Sequence, residues 1–145
     1  MIELIDKPSA PAPSECCESG CEPCVWDVYR EDMAKWKANQ AELRELLSVS
    51  DSEKQLQALN ADNLAKWIID TNHLKKTFKF ADFKTAMAFM NSVAETAEKL
   101  DHHPDWCNSY NIVTIKLSTH SSDGLTHLDF VLAREMDNIA ATVKS

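Results

Sequence analysis

Three histidines lie within nineteen residues of one another and are the groups of this chain best suited to acid–base chemistry. His102 and His103 are adjacent in the stretch EKLDHHPDW, between the acidic residues Glu98 and Asp101 and a proline. His120 ends the alternating run VTIKLSTH. Because imidazole titrates near neutral pH, such groups suit general acid–base catalysis, which typically accelerates a reaction about 10²–10⁴-fold.

Backbone geometry predicts different roles for the two adjacent histidines. Pro104 favours an extended backbone at His103, and neighbouring side chains of an extended chain point to opposite sides. We therefore expect His102 and His103 to have separate roles. His120 has the strand parity of the polar residues that precede it, so it projects from the mixed face of that strand or emerges at its end.

From spacing alone, three interpretations of these histidines stay open: an acid–base set, structural residues and metal ligands. A metal is disfavoured because the chain has no H-x-x-x-H pattern on a predicted helix and no H-x-H pattern on a predicted strand. Several other residues also have an ordinary structural explanation: His73 and His127 as solvated polar residues, Trp106 as core or pocket wall, Asp129 as a helix cap, and Ser118 and Thr119 as partners in sheet or turn hydrogen bonds.

The sequence pattern of the first third of the chain predicts a structural unit separate from the rest. The proline-rich stretch KPSAPAPSE (7–15) predicts an extended, poorly ordered arm. Apolar residues at helical spacing then predict an amphipathic helix over about 28–47. The stretch SVSDS ends that helix and offers a cap for a second helix over about 52–60. We therefore predict two domains, at 1–48 and 49–145.

The remaining sequence predicts an antiparallel sheet with helices packed on one face, an α+β domain. LAKWIID and KKTFKFA predict two short strands joined by a turn, and residues 112–118 alternate as another strand. Asp82 is the expected cap of a long helix over 82–100, and Thr126-x-x-Asp129, a pattern similar to a capping box, begins a final helix over about 125–143. The apolar stripe of the long helix is predicted to comprise Phe83, Met87, Met90, Val93, Ala94, Ala97 and Leu100.

The composition excludes several classes of function. The chain has 44% hydrophobic residues, enough for a packed core, and a formal charge of −8 without a basic footprint. Direct binding to nucleic acid or to an anionic membrane is therefore not expected. No apolar run approaches the roughly 20 residues that span a bilayer, and the first residues lack the basic and apolar regions of a secretory signal. We expect a reducing, cytoplasmic setting in which the five cysteines are thiols.

One long motif closely resembles a known family. Residues 78–133 contain E-x-x-x-H-H-P-x-W, an alternating strand into S-T-H, and then G-L-T-x-x-D. This pattern resembles the pterin-4a-carbinolamine dehydratases, over about residues 61–145. The resemblance implies a four-stranded antiparallel sheet with helices on one face, assembled as a homodimer or homotetramer.

The resemblance also implies a reaction. It is the dehydration of a 4a-hydroxytetrahydropterin to the quinonoid dihydropterin, which recycles the pterin used by an aromatic amino-acid hydroxylase, and no metal or organic cofactor is implied. The implied catalytic residues are His102, His103 and His120: the first and last share the acid and base roles, and His103 mainly holds the pterin. Substrate-binding roles fall on Glu98, Asp101, Trp106, Ser118, Thr119 and Asp129.

A cysteine-rich stretch near the amino terminus carries a second resemblance. CCESGCEPCVWDVY (16–29) is similar to the oxidoreductase-like amino-terminal segment, with its C-C-x-x-G-C-x-x-C-V-W-x-x-Y run, over about residues 10–36. Three interpretations stay open: a site for a soft ion such as zinc, a redox-labile thiol cluster, or neither. The residues concerned are Cys16, Cys17, Cys21 and Cys24.

Two other functions compete with the enzymatic one. Some relatives of the dehydratases are similar to coactivators that bind transcription factors as dimerisation partners, and helices 82–100 and 125–143 could supply such a surface. A cysteine-based redox or metal carrier with an inert fused domain is the third interpretation. The presence of Glu98 together with the three histidines favours chemistry.

Overall fold

The structure, a computed structural model, describes residues 3–15, 20, 22–63 and 65–144. It divides into two compact units, Met1–Leu43 and Arg44–Ser145. The predicted boundary after residue 48 lies a few residues beyond this division. No helix in the described residues is long and apolar enough to cross a membrane.

The first unit is built on helix α1, Val25–Leu43, which begins and ends a few residues earlier than the predicted 28–47. Glu3, Ile5 and Lys7 contact α1, and the last of them begins the proline-rich arm (7–15) that was expected to be extended and poorly ordered. Asn39 donates to the carbonyl of Glu3 at 2.7 Å and accepts from the amide of Ile5 at 3.3 Å. The ammonium of Lys7 lies 5.3 Å from the centre of the Trp36 ring.

Most of the cysteine cluster lies outside the residues that the structure describes. Cys16, Cys17 and Cys21 lie outside the described residues, whereas Cys24 is a half-buried thiol just before α1. Its carbonyl accepts from the amides of Asp27 and Val28. In the part of the chain that the structure describes, no group of three His, Cys, Asp or Glu side chains is placed to hold a metal ion.

The second unit has the predicted α+β architecture. Its four strands form one antiparallel sheet in the order β1-β2-β4-β3. The elements are α2 Val49–Asn60, β1 Ile68–Asp70, β2 His73–Lys79, α3 Phe83–Leu100, β3 Asp105–Ser109, β4 Ile112–Leu117, a short 3-10 turn His120–Ser122, and α4 His127–Lys144. The predicted strands and helices of this unit are confirmed, and β3 is the strand that periodicity did not reveal.

The helices cover one face of the sheet because buried apolar side chains alternate with more exposed side chains along β4. Val113, Ile115 and Leu117 are fully buried, and α3 and α4 pack over that face in a single apolar core. The predicted stripe of α3 was partly wrong. Phe83 is 49% exposed, whereas Phe89 is fully buried with its ring centre 4.9 Å from those of the nearest aromatic rings of β2 and the residue after it. This aromatic contact turns the face of Ala86, Phe89, Val93 and Ala97 towards the core.

Side-chain caps fix where the helices begin. The Ser48 hydroxyl accepts from the amide of Asp51 at 3.1 Å at the start of α2, and Asp82 accepts from the amide of Thr85 at 2.7 Å at the start of α3. The hydroxyl of Thr85 and then its amide hold the pKa of the Asp82 carboxyl below its ordinary value. Both caps were expected from the sequence, although α2 begins three residues before the predicted start.

A buried ion pair joins the sheet to α4. Lys76, on the helix-covered face of β2, donates to Asp137 at 2.6 Å, and neither side chain is more than 10% exposed. The Trp67 indole and the Asn63 amide donate to the other carboxylate oxygen at 2.9 and 3.0 Å. The Lys76 ammonium also lies 4.7 Å from the centre of the Phe78 ring. One polar network therefore ties the segment before β1, strand β2 and α4 together inside the core.

Removing the carboxylate with Asp137→Ala should lower the free energy of unfolding by about 3–5 kcal/mol, because it leaves the Lys76 ammonium buried without its partner. The matched control is Asp70→Ala, which breaks the ion pair of Asp70 with the neighbouring lysine, Lys75. Solvent screens that pair, so its removal should cost far less. Equal losses for the two variants in urea unfolding would contradict a structural role for the buried pair.

Candidate active site

His102 occupies a buried position at the carboxyl end of α3. The helix ends at Leu100, and Asp101 follows it with a left-handed backbone (φ 49°, ψ 44°). This turn brings the amide of His102 to the carbonyl of Ala97 at 3.0 Å. The side chain of His102 is only 7% exposed, so the imidazole lies inside the domain although the helix has ended.

The carboxylate of Asp129 is the partner of this imidazole. Asp129 lies in the first turn of α4, is fully buried, and has its Oδ1 2.6 Å from His102 Nε2. Its Oδ2 accepts from the amide of Thr126 at 2.9 Å and from the hydroxyl of Thr119 at 3.0 Å. A carboxylate can only accept hydrogen bonds, so the proton in the bond to His102 sits on Nε2.

Asp129 caps α4 and also binds the imidazole of His102. It caps α4 as the Thr126-x-x-Asp129 pattern predicted, because Oδ2 accepts from the amide of Thr126. In a complete capping box the Thr126 side chain would also accept from the Asp129 amide. Between these two described residues, that amide instead donates to the Thr126 carbonyl at 3.2 Å. The cap uses Oδ2 and leaves Oδ1 for the imidazole of His102.

His103 faces solvent and has a different partner. Its Nε2 lies 2.7 Å from Glu98 Oε1, and the two side chains are 57% and 78% exposed. The two adjacent imidazoles therefore serve separate contacts, as the extended backbone before Pro104 predicted. Glu98 orients His103, while Asp129 holds His102.

His120 lies three residues after the end of β4. It is exposed at the first position of the 3-10 turn, next to the buried Thr119 and the half-buried Ser118. In the part of the chain that the structure describes, no hydrogen bond joins the His120 imidazole to His102 or His103. The link is indirect, since Thr119 bonds to the carboxylate that also holds His102.

The remaining predicted site residues lie at the edges of this arrangement. Trp106 pairs with Ile115 in the register of β3 and β4 and is half-buried against the core, as its core interpretation predicted. Asp101 is exposed, and its carbonyl accepts from the Arg44 guanidinium at 2.6 Å. Sequence reasoning gave no site role to Arg44 or to the fully buried Thr126, although the pattern Thr126-x-x-Asp129 pointed to the second of them.

A cavity lies apart from these residues. It has a volume of about 600 Å³ between α2, β1 and the turn before α4, with mainly apolar walls that include Leu47, Leu56 and Ile69. None of the predicted site residues lines it. The candidate active site is therefore identified by the hydrogen bonds of its histidines rather than by the size of a cavity.

The arrangement around His102 is suited to moving a proton. The hydrogen bond from Nε2 to Asp129 sets the tautomer, which leaves Nδ1 of the neutral ring without a proton and able to accept one. His120, exposed and three residues beyond the end of β4, offers a second imidazole. Two imidazoles in different surroundings can give one proton and take another.

Comparison with family models matches the two units to different families. Residues 45–139 match the family described as pterin 4 alpha carbinolamine dehydratase. Residues 2–45 match the family described as oxidoreductase-like protein, N-terminal. The two matched ranges meet within two residues of the structural division between Leu43 and Arg44.

Comparison with individual proteins gives the same result for the second unit. Relatives from Brucella ovis and Brucella canis, both named "Putative pterin-4-alpha-carbinolamine dehydratase", are 40% identical over 108 residues, which is 74% of this chain and 99% of theirs. A crystal structure from Brucella melitensis, described as a transcriptional coactivator/pterin dehydratase, is 44% identical and superposes with a TM-score of 0.61. That match covers 66% of this chain and 99% of the other.

Removing the shared carboxylate with Asp129→Ala should lower the free energy of unfolding by at least about 1–3 kcal/mol, because buried donors on Thr119, Thr126 and His102 lose their acceptor. Asp105→Ala, which removes an exposed carboxylate from β3, is the matched control and should have little effect. Urea unfolding monitored by tryptophan fluorescence measures both. A variant at 129 as stable as wild type would show that the carboxylate does not hold the three elements together.

Proposed function

The chain belongs to the pterin 4 alpha carbinolamine dehydratase family, and we propose that it dehydrates a 4a-hydroxytetrahydropterin to the quinonoid dihydropterin. The observation that carries this proposal is the bond between the buried imidazole of His102 and the buried carboxylate of Asp129. A hydrogen-bonded imidazole of this kind is oriented for acid–base work. The cap of α4 by Asp129 uses Oδ2 alone and does not by itself require an imidazole at Oδ1.

The proposed reaction needs two proton transfers and no electron transfer. An acid protonates the 4a-hydroxyl, the C4a–O bond breaks with both electrons leaving on oxygen, and the oxygen departs as water. A base removes a proton from the pterin ring, so that charge is balanced and the ring ends as the quinonoid form. Because the step is redox-neutral, we propose that it proceeds without a metal or organic cofactor.

We assign these transfers to two histidines with different surroundings. His102 would act through Nδ1, since Asp129 holds Nε2. His120, exposed after β4, would complete the pair. Each of the two could contribute about 10²–10⁴ in rate as a general acid or base.

The remaining predicted residues are proposed to bind the pterin. His103, oriented by Glu98 at 2.7 Å, would hold the substrate from the exposed side. The other substrate-binding positions in the proposal are Asp101, Trp106, Ser118 and Thr119, together with Asp129 through its bond to His102. An aromatic amino-acid hydroxylase would supply the hydroxylated pterin, and a homodimer or homotetramer would be the working assembly.

A second role as a binding module is favoured by the description of the Brucella melitensis relative as a transcriptional coactivator/pterin dehydratase. In this role the exposed sides of α3 and α4 would bind a transcription factor as a dimerisation partner. Such binding through helices would not need the imidazoles. Variants of the histidines therefore separate the two roles.

Purified protein should accelerate breakdown of the carbinolamine in a coupled hydroxylase assay. His102→Gln, which keeps a donor for Asp129, and His120→Ala should each reduce the rate by about 10²–10⁴-fold, because each removes one proton-transferring group. His73→Ala, at the start of β2 and outside the proposed site, is the control and should keep the wild-type rate. A wild-type rate no faster than buffer would refute the proposed function.

The variant Asp129→Asn tests whether the carboxylate acts through the tautomer of His102. The amide can still accept from Thr119 and Thr126 through oxygen, and its nitrogen can donate to His102 Nε2. Stability should therefore change little, while the ring proton moves to Nδ1 and the rate falls at least about tenfold. A well-folded Asp129→Asn protein with the wild-type rate would contradict this role.

A further inference from the structure

A short segment between α1 and α2 touches both loops that carry the proposed catalytic histidines. Arg44 donates through Nη2 to the carbonyl of Asp101 at 2.6 Å, and the same nitrogen lies 3.8 Å from an oxygen of the Asp101 carboxylate. On the other side, the Ser122 hydroxyl donates to the carbonyl of Arg44. Three residues further on, the amide of Leu47 donates to the carbonyl of Leu125 at 2.9 Å.

On the side of α3, Arg44 contacts the residue at which the helix ends and the backbone changes direction. Asp101 is the left-handed residue that ends α3, and His102 follows it directly. A residue other than glycine adopts this backbone infrequently, so a bond to its carbonyl favours a conformation that sets the position of the next side chain. The donor is a guanidinium, and hydrogen bonds from charged donors are roughly twice as strong as neutral ones.

On the side of β4, the contact is made within a tight turn. The amide of Thr119 donates to the carbonyl of Gly124 at 2.8 Å, which closes the turn that contains His120 and Ser122. The segment packs directly on this turn: a Cβ added to Gly124 would lie 2.7 Å from Leu46 Cδ1. The turn and the segment therefore leave each other little room to shift.

We propose that Arg44 is a positioning residue that fixes the spacing between His102 and His120. Its side chain holds the residue before His102, and its backbone holds the residue two positions after His120. The side chain of Arg44 is only 24% exposed, so the bond is partly shielded from solvent. Asp129 joins the same two loops from inside the domain, and Arg44 joins them from outside. The kinetic part of this inference rests on the proposed function.

The test compares Arg44→Met, which keeps the length but removes the donors, with Arg44→Lys, which keeps one donor and the charge. Arg134→Met, at an exposed position of α4, is the matched control. Arg44→Met should lower kcat about tenfold with a smaller change in KM, since misplaced groups slow the chemical step. Arg44→Lys should recover part of the loss, and Arg134→Met should match wild type.

Ring signals of the histidines in NMR spectra provide a readout that does not depend on activity. Arg44→Met should shift the signals of His102 and His120 and leave those of His73 unchanged. Ser122→Ala should shift the same signals. The variant that combines both changes should shift them little further than Arg44→Met alone, because the two bonds of Arg44 form one connection between the two loops.

Two results would overturn the inference. One is an Arg44→Met protein whose ring signals for His102 and His120 are those of wild type. The other is a shift of the His73 signals as large as theirs, which would indicate a general structural change. If wild-type protein has no dehydratase activity, the proposed function fails, and the ring signals still decide whether Arg44 positions the two histidines.

Discussion

The buried carboxylate of Asp129 is the interaction on which the site depends. It joins three ends of secondary structure: the end of α3 through His102, the end of β4 through Thr119, and the start of α4 through Thr126. A charge in an apolar interior is costly unless it is hydrogen-bonded. Here both oxygens have donors, and the amino end of α4 favours a negative charge. The bonds that make the carboxylate tolerable in the core are the bonds that orient the imidazole.

The rest of the second unit keeps these three ends in place. Aromatic contacts of Phe89 fix the rotation of α3 against the sheet, and the network of Lys76 and Asp137 fixes α4 against β2. Both lie in the core behind the site. Because a packed interior does not deform continuously, the ends of α3, β4 and α4 meet in one arrangement. The cluster then needs few bonds of its own to hold His102.

Features of the fold that depend on neighbouring residues could be predicted from the sequence, and those that depend on distant residues could not. The cap at Asp82 and the opposite directions of His102 and His103 are local, and both were predicted correctly. Strand β3, DWCNS, lacks a clear alternation of apolar residues, so only the family resemblance implied a fourth strand. The bond between His102 and Asp129 spans 27 positions and that between Arg44 and Asp101 spans 57, and no local pattern encodes either pairing.

The tautomer of His102 is the most direct measure of whether the carboxylate controls the imidazole. Nitrogen-15 NMR of the wild-type protein under alkaline conditions, where imidazoles are neutral, distinguishes a ring nitrogen that carries a proton from one that does not. The account predicts that Nε2 of His102 carries the proton and that Nδ1 is bare. A proton on Nδ1, or rapid averaging of the two nitrogens as in a free imidazole, would contradict it.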